Sequence, residues 1–320
     1  MLVEILAKVN GLRRTETSHI LLYHATFSKI PAALSEEVHN VSPQVLYKQL
    51  KWIIKYFDVI NIDDYFQISD RRGKAAITFD DGYKSFFSEG FPVLKTLKIP
   101  CTVFICGCTM KKKAFWRDKI RFLINNNLVS EFLKFNSKSP TFDKLLNETN
   151  FYRRTKSPLI NSFELDKMLD AFIEEKQISL EKLRYCAEQE NELIDDSLVN
   201  YGNHTYDHYV LSSLSDEEQE YQIHKNLLLL QSTKRRISKV FSIPFGGEDD
   251  FNQTTCILLQ KYGYIGFLYS RGHLNMLSKR GKEANIPLPS FDRYMPTEGF
   301  ASFQKQLLRM TLKGFKLRRK

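Results

Sequence analysis

The sequence predicts an α/β fold, a distorted (β/α) barrel with a mainly helical insertion. Short β-branched or apolar runs alternate with helix-period segments, the pattern of parallel strands joined by helical crossovers. The 320 residues suit one barrel with insertions. The alternation also breaks once, between residues 110 and 193, into charged, mostly helical sequence.

In chain order, HILLY is the first strand, followed by a helix from Pro43 to about Phe57, the runs VINI and AAITF, a helix around Lys84–Leu97, and CTVFIC. After the break come LVNYGN, a helix over Asp216–Gln231, KVFSIPF, a helix near Phe251–Tyr262, and YIGFLYS. Ser215 with Glu218 three residues later forms a capping box for the Asp216 helix. We treat residues 1–320 as one domain, 110–193 as an insertion on one barrel loop, and 299–320 as a basic amphipathic C-terminal helix. A small second domain is the alternative for the insertion. No internal repeat is present.

Composition narrows the function. A hydrophobic content of 42% with 24 phenylalanines supplies a substantial core and argues against extensive disorder. The five cysteines, at 101, 106, 108, 186 and 256, have no paired zinc-type spacing and read as free or buried thiols. The opening segment MLVEILAKVNGLRR places charges inside a short apolar stretch, unlike a secretory signal, so a cytoplasmic location is expected. The net charge of +10 is scattered, with no aromatic-basic motif behind it, and no nucleic-acid partner is expected. In the tail, Phe303, Leu307, Leu308, Met310, Leu312 and Phe315 interleave with cations. That pattern suits either a helix packed on the domain or peripheral contact with an anionic inner membrane face.

Two segments carry chemistry. AAITFDDG, Ala75–Gly82, is a buried strand ending in two carboxylates and a glycine that permits a sharp turn. At the C-terminal end of a barrel strand such residues face the active-site mouth. The other acidic pair, Asp63-Asp64, is explained by a helix start. VNYGNHTYDH, Val199–His208, places two histidines four apart directly after an apolar strand. If the chain turns helical there, both imidazoles share one face and can share one metal. The run Glu248-Asp249-Asp250 precedes a helix, where carboxylates favour the positive dipole end.

With these segments in place, the chain resembles the polysaccharide deacetylases of carbohydrate esterase family 4, the NodB-homology domain. TFDDG at Thr78–Gly82 is similar to the family's first motif, HTYDH at His204–His208 to the second, and FSIPFGG at Phe241–Gly247 to the third. The resemblance runs from Ile20 to about Tyr269, apart from most of the insertion, and takes in the segment near Pro287–Tyr294. It implies Asp80 as general base and Asp81, His204 and His208 as ligands of a divalent metal, zinc first, with cobalt or nickel as alternatives. It further implies an oxyanion donor at the Phe245 N–H, with Gly246 beside it. One such donor is typically worth about 3–4 kcal/mol in the transition state.

Two departures matter. Ser242 stands where the third motif usually carries an arginine, and Arg293 in SFDRYMP is the candidate to orient the base instead. No late Leu-x-His motif supplies a general acid, and GHLN at Gly272–Asn275 does not match it. ILLYH at Ile20–His24 is similar to the early Tyr-His of the poly-N-acetylglucosamine deacetylase branch, which makes His24 the candidate acid. His19, His39, His224 and His273 are read as structural or surface residues.

The resemblance implies metal-dependent N-deacetylation of an acetamido sugar in a polysaccharide, oligosaccharide or lipid-linked glycan precursor. Hydrolysis of another carbon-nitrogen amide, such as a cyclic ureide, and a catalytically silent glycan-binding domain are the alternatives. Acetate release, ring opening and binding without turnover separate the three. Phe115 and Trp116 read equally as a sugar-cleft wall and as core.

Overall fold

A computed structural model of the chain describes residues 17–35, 37–137, 145–273, 275–276 and 288–317, with side chains of the last helix as far as Thr311. Residues 1–14 and the tail end 318–320, both read above, lie outside the described residues, as do Leu274 and Pro287.

The sheet begins with β1 (Thr17–Tyr23), which is buried throughout. A strand covered on both faces reads as a continuous apolar run rather than an alternation. Next come α1 (Pro43–Tyr56), a two-residue β2 (Asp58–Val59), α2 (Ile62–Gln67) and β3 (Lys74–Phe79). A π-turn over Phe86–Gly90 leads into α3 (Phe91–Leu97), so the helix expected around Lys84–Leu97 is split. β4 (Cys101–Ile105) precedes the insertion, whose helices are α4 (Trp116–Asn125), α5 (Val129–Phe135), α6 (Phe151–Arg154) and α7 (Ser162–Glu175). The barrel resumes with β5 (Val199–Asn203), α8 (Asp216–Ser232), β6 (Ile237–Ser242), α9 (Gln253–Lys261), β7 (Gly266–Leu268), β8 (Asn275–Met276), β9 (Ser290–Phe291) and α10 (Phe300–Leu317).

β1, β3, β4, β5, β6, β7 and β9 pair in that order, all parallel. Beyond β9 the chain returns to β1, where Tyr294 bridges Leu21 and the Leu22 N–H donates to the Tyr294 carbonyl at 2.8 Å. The sheet is thus nearly closed into a barrel, and the parallel strands share one C-terminal end. Asp63 sits in the first turn of α2, and its carboxylate accepts the Lys239 N–H at 2.7 Å, so that pair serves structure. The Ser215–Glu218 capping box forms as expected.

Ile20, Ala76, Phe104, Val240 and Leu268 come from different strands yet form one buried cluster, with Phe291 against it. Only the barrel interior brings them together. Side chains two residues apart on a strand share a face. The next interior positions are therefore Leu22, Thr78, Cys106, Ser242, Ser270 and Arg293, and beyond them His24 and Asp80. Strand periodicity alone thus carries polar residues up the bore to the C-terminal mouth.

The insertion does not form a separate core. Trp116, Ile120, Leu165 and Phe172 belong to the same buried cluster as Tyr209, Leu211 and Ile243 of the barrel. Phe303 and Leu307 of α10 are buried, and Phe303 packs on Trp52 of α1 and on Tyr294. No helix among the described residues is long and apolar enough to cross a membrane. All five cysteines are buried free thiols.

His19 predicts acid sensitivity. Burial on β1, against Phe57, lowers its pKa from 6.5 to about 4. Between those values the unfolded chain binds the proton that the folded chain refuses, so stability falls as pH drops from 6.5 towards 4. The full effect is about 3 kcal/mol. Chemical denaturation of wild type and His19→Gln across this range should show a shallower acid loss in the variant. Parallel curves would remove His19 as the cause.

Candidate active site

The site is assembled at the strand ends. After β3 the chain passes through Asp80 and turns sharply, with Asp81 and Gly82 both at φ 71°. The glycine accepts that geometry freely, whereas Asp81 is a non-glycine residue held in the left-handed region, a strain often found at functional positions. His204 follows β5 directly. The segment carrying both histidines is not helical, contrary to the helical reading of their spacing. Instead Thr205 (φ 65°) and His208 (φ 61°) are left-handed. Side chains capture the backbone: Asn203 accepts the Thr205 N–H at 2.8 Å, and Thr205 Oγ1 accepts the His208 N–H at 2.9 Å. Local polar side chains thus outcompete the helical hydrogen bonds.

The loop brings the two imidazole centroids to 4.6 Å. His208 Nε2 lies 3.4 Å and His204 Nε2 3.6 Å from Asp81 Oδ1. The ligand atoms of Asp81, His204 and His208 all lie within 4.8 Å of one another, and all three residues are buried. Ser242 O accepts a hydrogen bond from His204 Nδ1 at 2.8 Å, which fixes the proton there and leaves the Nε2 lone pair facing Asp81. Burial keeps His204 and His208 neutral, the ligating form.

The carboxylates differ sharply. Asp81 Oδ1 has no hydrogen-bond partner among the described residues. Burial, with Asp80 adding, pushes the Asp81 carboxyl up to about 8. Arg121 and Arg117 act on it only from a distance, no lysine or arginine pairs with it among the described residues, and the N,N,O donor set of these side chains fits a divalent cation as its partner.

Asp80 has its counter-charge. Arg293 grips both of its oxygens at 2.7 Å, and its Nη2 also donates to Ser242 Oγ at 2.9 Å. Ser242 Oγ in turn donates to Asp80 Oδ2 at 3.1 Å. Burial pushes the Asp80 carboxyl upward, but Arg293 and His204 prevail and hold it at about 2. Arg293 is itself tethered through Nε to the Tyr269 carbonyl at 3.0 Å. The arginine missing from the third motif is thus matched by one arriving from the barrel-closing segment, with Ser242 bridging.

His24 reaches the same cleft, as does His39, whose sequence context gives no sign of it. The two Nδ1 atoms lie 3.1 Å apart, and His39 Nε2 lies 2.6 Å from the Pro296 carbonyl. A carbonyl can only accept, so His39 carries its proton on Nε2 and accepts at Nδ1 from His24. His24 Nε2 is left unprotonated in the neutral pair. Burial, with His39 adding, keeps the His24 pKa well below its ordinary value.

Phe245 (φ 63°) and Gly246 (φ 73°) form the turn after β6 and line the cleft. A Cβ at Gly246 would lie 2.5 Å from the Ser270 backbone nitrogen, so this turn requires glycine. Phe115 and Trp116 are core rather than cleft wall. Phe115 packs edge-on to His208 at 5.2 Å, and Trp116 Nε1 donates to the His208 carbonyl at 3.0 Å. Among the neighbouring acids, Asp250 Oδ2 accepts the Gly247 N–H at 2.6 Å and Glu248 pairs with Arg271, while Asn252 caps α9. The cleft measures roughly 470 Å³, inside the ~300–1,000 Å³ range of small-molecule sites.

A hydrolytic site on a (β/α) barrel, with paired acids and a buried Asp/His/His group, defines the class of protein. The family profile described as polysaccharide deacetylase matches residues 68–266, more than half the chain. The protein therefore belongs to the polysaccharide deacetylase family, and it is a hydrolase acting on amide or ester bonds of acetylated sugars. No curated protein matches the sequence. Among solved structures, it is similar to the Streptococcus pyogenes deacetylase PplD in complex with acetate, at 14% identity and TM-score 0.55, covering 93% of this chain and 99% of that one. It is also similar to IcaB from Ammonifex degensii, at 14% identity and TM-score 0.53, covering 92% and 97%. At these identities the likeness shows the shared fold.

Proposed function

We propose that the protein catalyses metal-dependent hydrolysis of the N-acetyl group of a sugar in a polysaccharide, oligosaccharide or lipid-linked glycan precursor, releasing acetate and a free amine. The observation that carries this reading is the division of labour between adjacent acids. Asp80 is ionised and clamped by Arg293, whereas Asp81 is buried beside two neutral histidines with no lysine or arginine paired to it among the described residues.

In this reading Asp81, His204 and His208 hold the metal, and zinc suits their donor set. The chemistry a bound cation supplies here is Lewis acidity, which polarises the acetyl carbonyl and acidifies the attacking water. Asp80 accepts the proton of that water. A carboxylate held near 2 is a weak base but is fully ionised at neutral pH, so it is always ready to receive the proton. Arg293 and Ser242 fix both of its oxygens, so the proton is received at a defined position.

The Phe245 N–H stabilises the oxyanion that develops on the acetyl group, and Gly246 lets the turn present it. His24 Nε2, unprotonated in the resting pair, takes up a proton from solvent in the cleft and passes it to the departing amine. Because burial disfavours the imidazolium, a proton resting there is readily given up. A cytoplasmic location completes the reading. Phe303 and Leu307 are used up in packing α10 onto the barrel, so contact with an anionic membrane face would rely on cations such as Lys305 and Arg309.

Metal removal tests the reading. Dialysis against dipicolinate should abolish acetate release, and zinc or cobalt should restore it. His204→Ala should retain far less metal than wild type by elemental analysis. Full acetate release from protein shown to be metal-free would sink the assignment of the trio.

A further inference from the structure

The insertion contributes cations to the cleft that nothing in the reaction uses. Arg117 of α4 is only 1% exposed yet lines the cleft. It donates from Nη1 to Thr155 Oγ1 at 2.9 Å and from Nη2 to the Tyr152 carbonyl at 3.2 Å, both neutral acceptors. Its Nε has no partner among the described residues. The guanidinium is packed among aromatic rings, 4.6 Å from the Trp116 centroid, 4.4 Å from Tyr152 and 5.4 Å from Phe245.

Lys156 is the second such cation. Its Nζ lies 4.0 Å from the Tyr152 ring centroid and 5.6 Å from that of Phe245. Neither Arg117 nor Lys156 forms an ion pair among the described residues, whereas the other arginines of the cleft are committed: Arg121 to Asp118, Arg271 to Asp292, Arg293 to Asp80. Burial, with Arg117 and Arg121 adding, presses the Lys156 pKa down to about 8. Arg117 is buried and Lys156 partly so; Asp81 and Asp118 act on Arg117, and Asp250 on Lys156, only from a distance, and aromatic stacking offsets only part of the cost of burial. An anion entering the cleft would offset more. The Tyr152 hydroxyl accepts from Arg121 Nη2 at 2.9 Å; burial pushes its pKa up, but Arg121, Arg117 and Lys156 prevail and bring it down to about 8, so it offsets part of their charge.

We propose that Lys156 and Arg117, flanking the rings of Tyr152 and Phe245, form a subsite for an oxyanion carried by the substrate. Its phosphate or carboxylate would sit on, or next to, the acetamido sugar. That the substrate is such a sugar rests on the deacetylase reading; the anion preference itself does not. Both cations lie over the ring of Phe245, so the charged group lies beside the oxyanion turn, where it would help to align the acetyl group.

Sugars without an acetamide separate the two ideas. Glucose 1-phosphate, methyl glucuronoside and methyl glucoside are titrated calorimetrically into the full chain at low ionic strength, with and without zinc. The metal-free arm removes any coordination of phosphate at the aspartate-histidine group. One charge-assisted contact predicts about tenfold tighter binding of an anionic sugar than of methyl glucoside in both arms. Lys156→Gln should erase most of that preference. Preference for the phosphate alone, or for the glucuronoside alone, supports the subsite and identifies its group. Equal affinity for all three sugars overturns the proposal, as does a preference that vanishes without zinc or persists unchanged in folded Lys156→Gln. If that variant fails to fold, the wild-type comparison still decides. Acetate assays are not involved, so failure of the deacetylase reading would show separately.

Discussion

Asp80→Asn should lower acetate release by about a thousandfold or more, mainly through kcat, while the protein still takes up metal. The amide is nearly isosteric but cannot accept a proton from water. It also turns an NH2 towards Arg293 or Ser242, where the carboxylate accepts hydrogen bonds at 2.7–3.1 Å, so some loss of stability is expected as well. Metal content measured by elemental analysis, beside steady-state rates, separates the lost base from a lost metal site. Activity within tenfold of wild type would reject Asp80 as the base.

Arg293→Met should have the largest effect on stability. It strands the Asp80 carboxylate, 2% exposed, without its counter-ion. Breaking a buried, hydrogen-bonded pair in this way costs about 3–5 kcal/mol. Arg293 also helps close the barrel, since the next residue, Tyr294, bridges β1. The pH dependence has a definite sign. Asp80 is held near 2 against an ordinary 3.8, so the stability contributed by the pair is complete above 3.8 and is lost as pH falls through about 2. Denaturation of wild type and variant should therefore differ most at neutral pH and converge in strong acid. A gap that is small at pH 7 would show that the pair contributes little.

Much of this site was legible in the sequence because it follows strand ends. DDG after AAITF, and His204 after VNYGN, announce themselves through an apolar run that stops at polar residues. Arg293 could be named because Ser242 left a role unfilled. What stayed hidden depends on distant contacts. His39 meets His24 only because its other nitrogen is anchored to the carbonyl of Pro296, 257 residues further on. No periodicity reports such a meeting. The spacing of His204 and His208 suggested a helix, but Asn203 and Thr205 bind the backbone and produce a left-handed loop that gathers the same ligands.

The insertion was the least legible part. Charged helices usually present solvated faces, and Arg117 and Lys156 look no different in sequence from their neighbours. Only the packing of α4 and of the segment just after α6 against Phe245 turns them inward. Phe115 and Trp116, the more conspicuous residues, are instead buried behind His208.

The most direct test is acetate release from a panel of N-acetylated oligosaccharides and lipid-linked acetamido sugars by zinc-reconstituted protein, measured beside Asp80→Asn. Metal-dependent release of acetate and free amine in equal amounts, lost in the variant, is the result predicted here. Ring opening of a cyclic amide without acetate, or no turnover by protein shown to be fully metal-loaded, would contradict it.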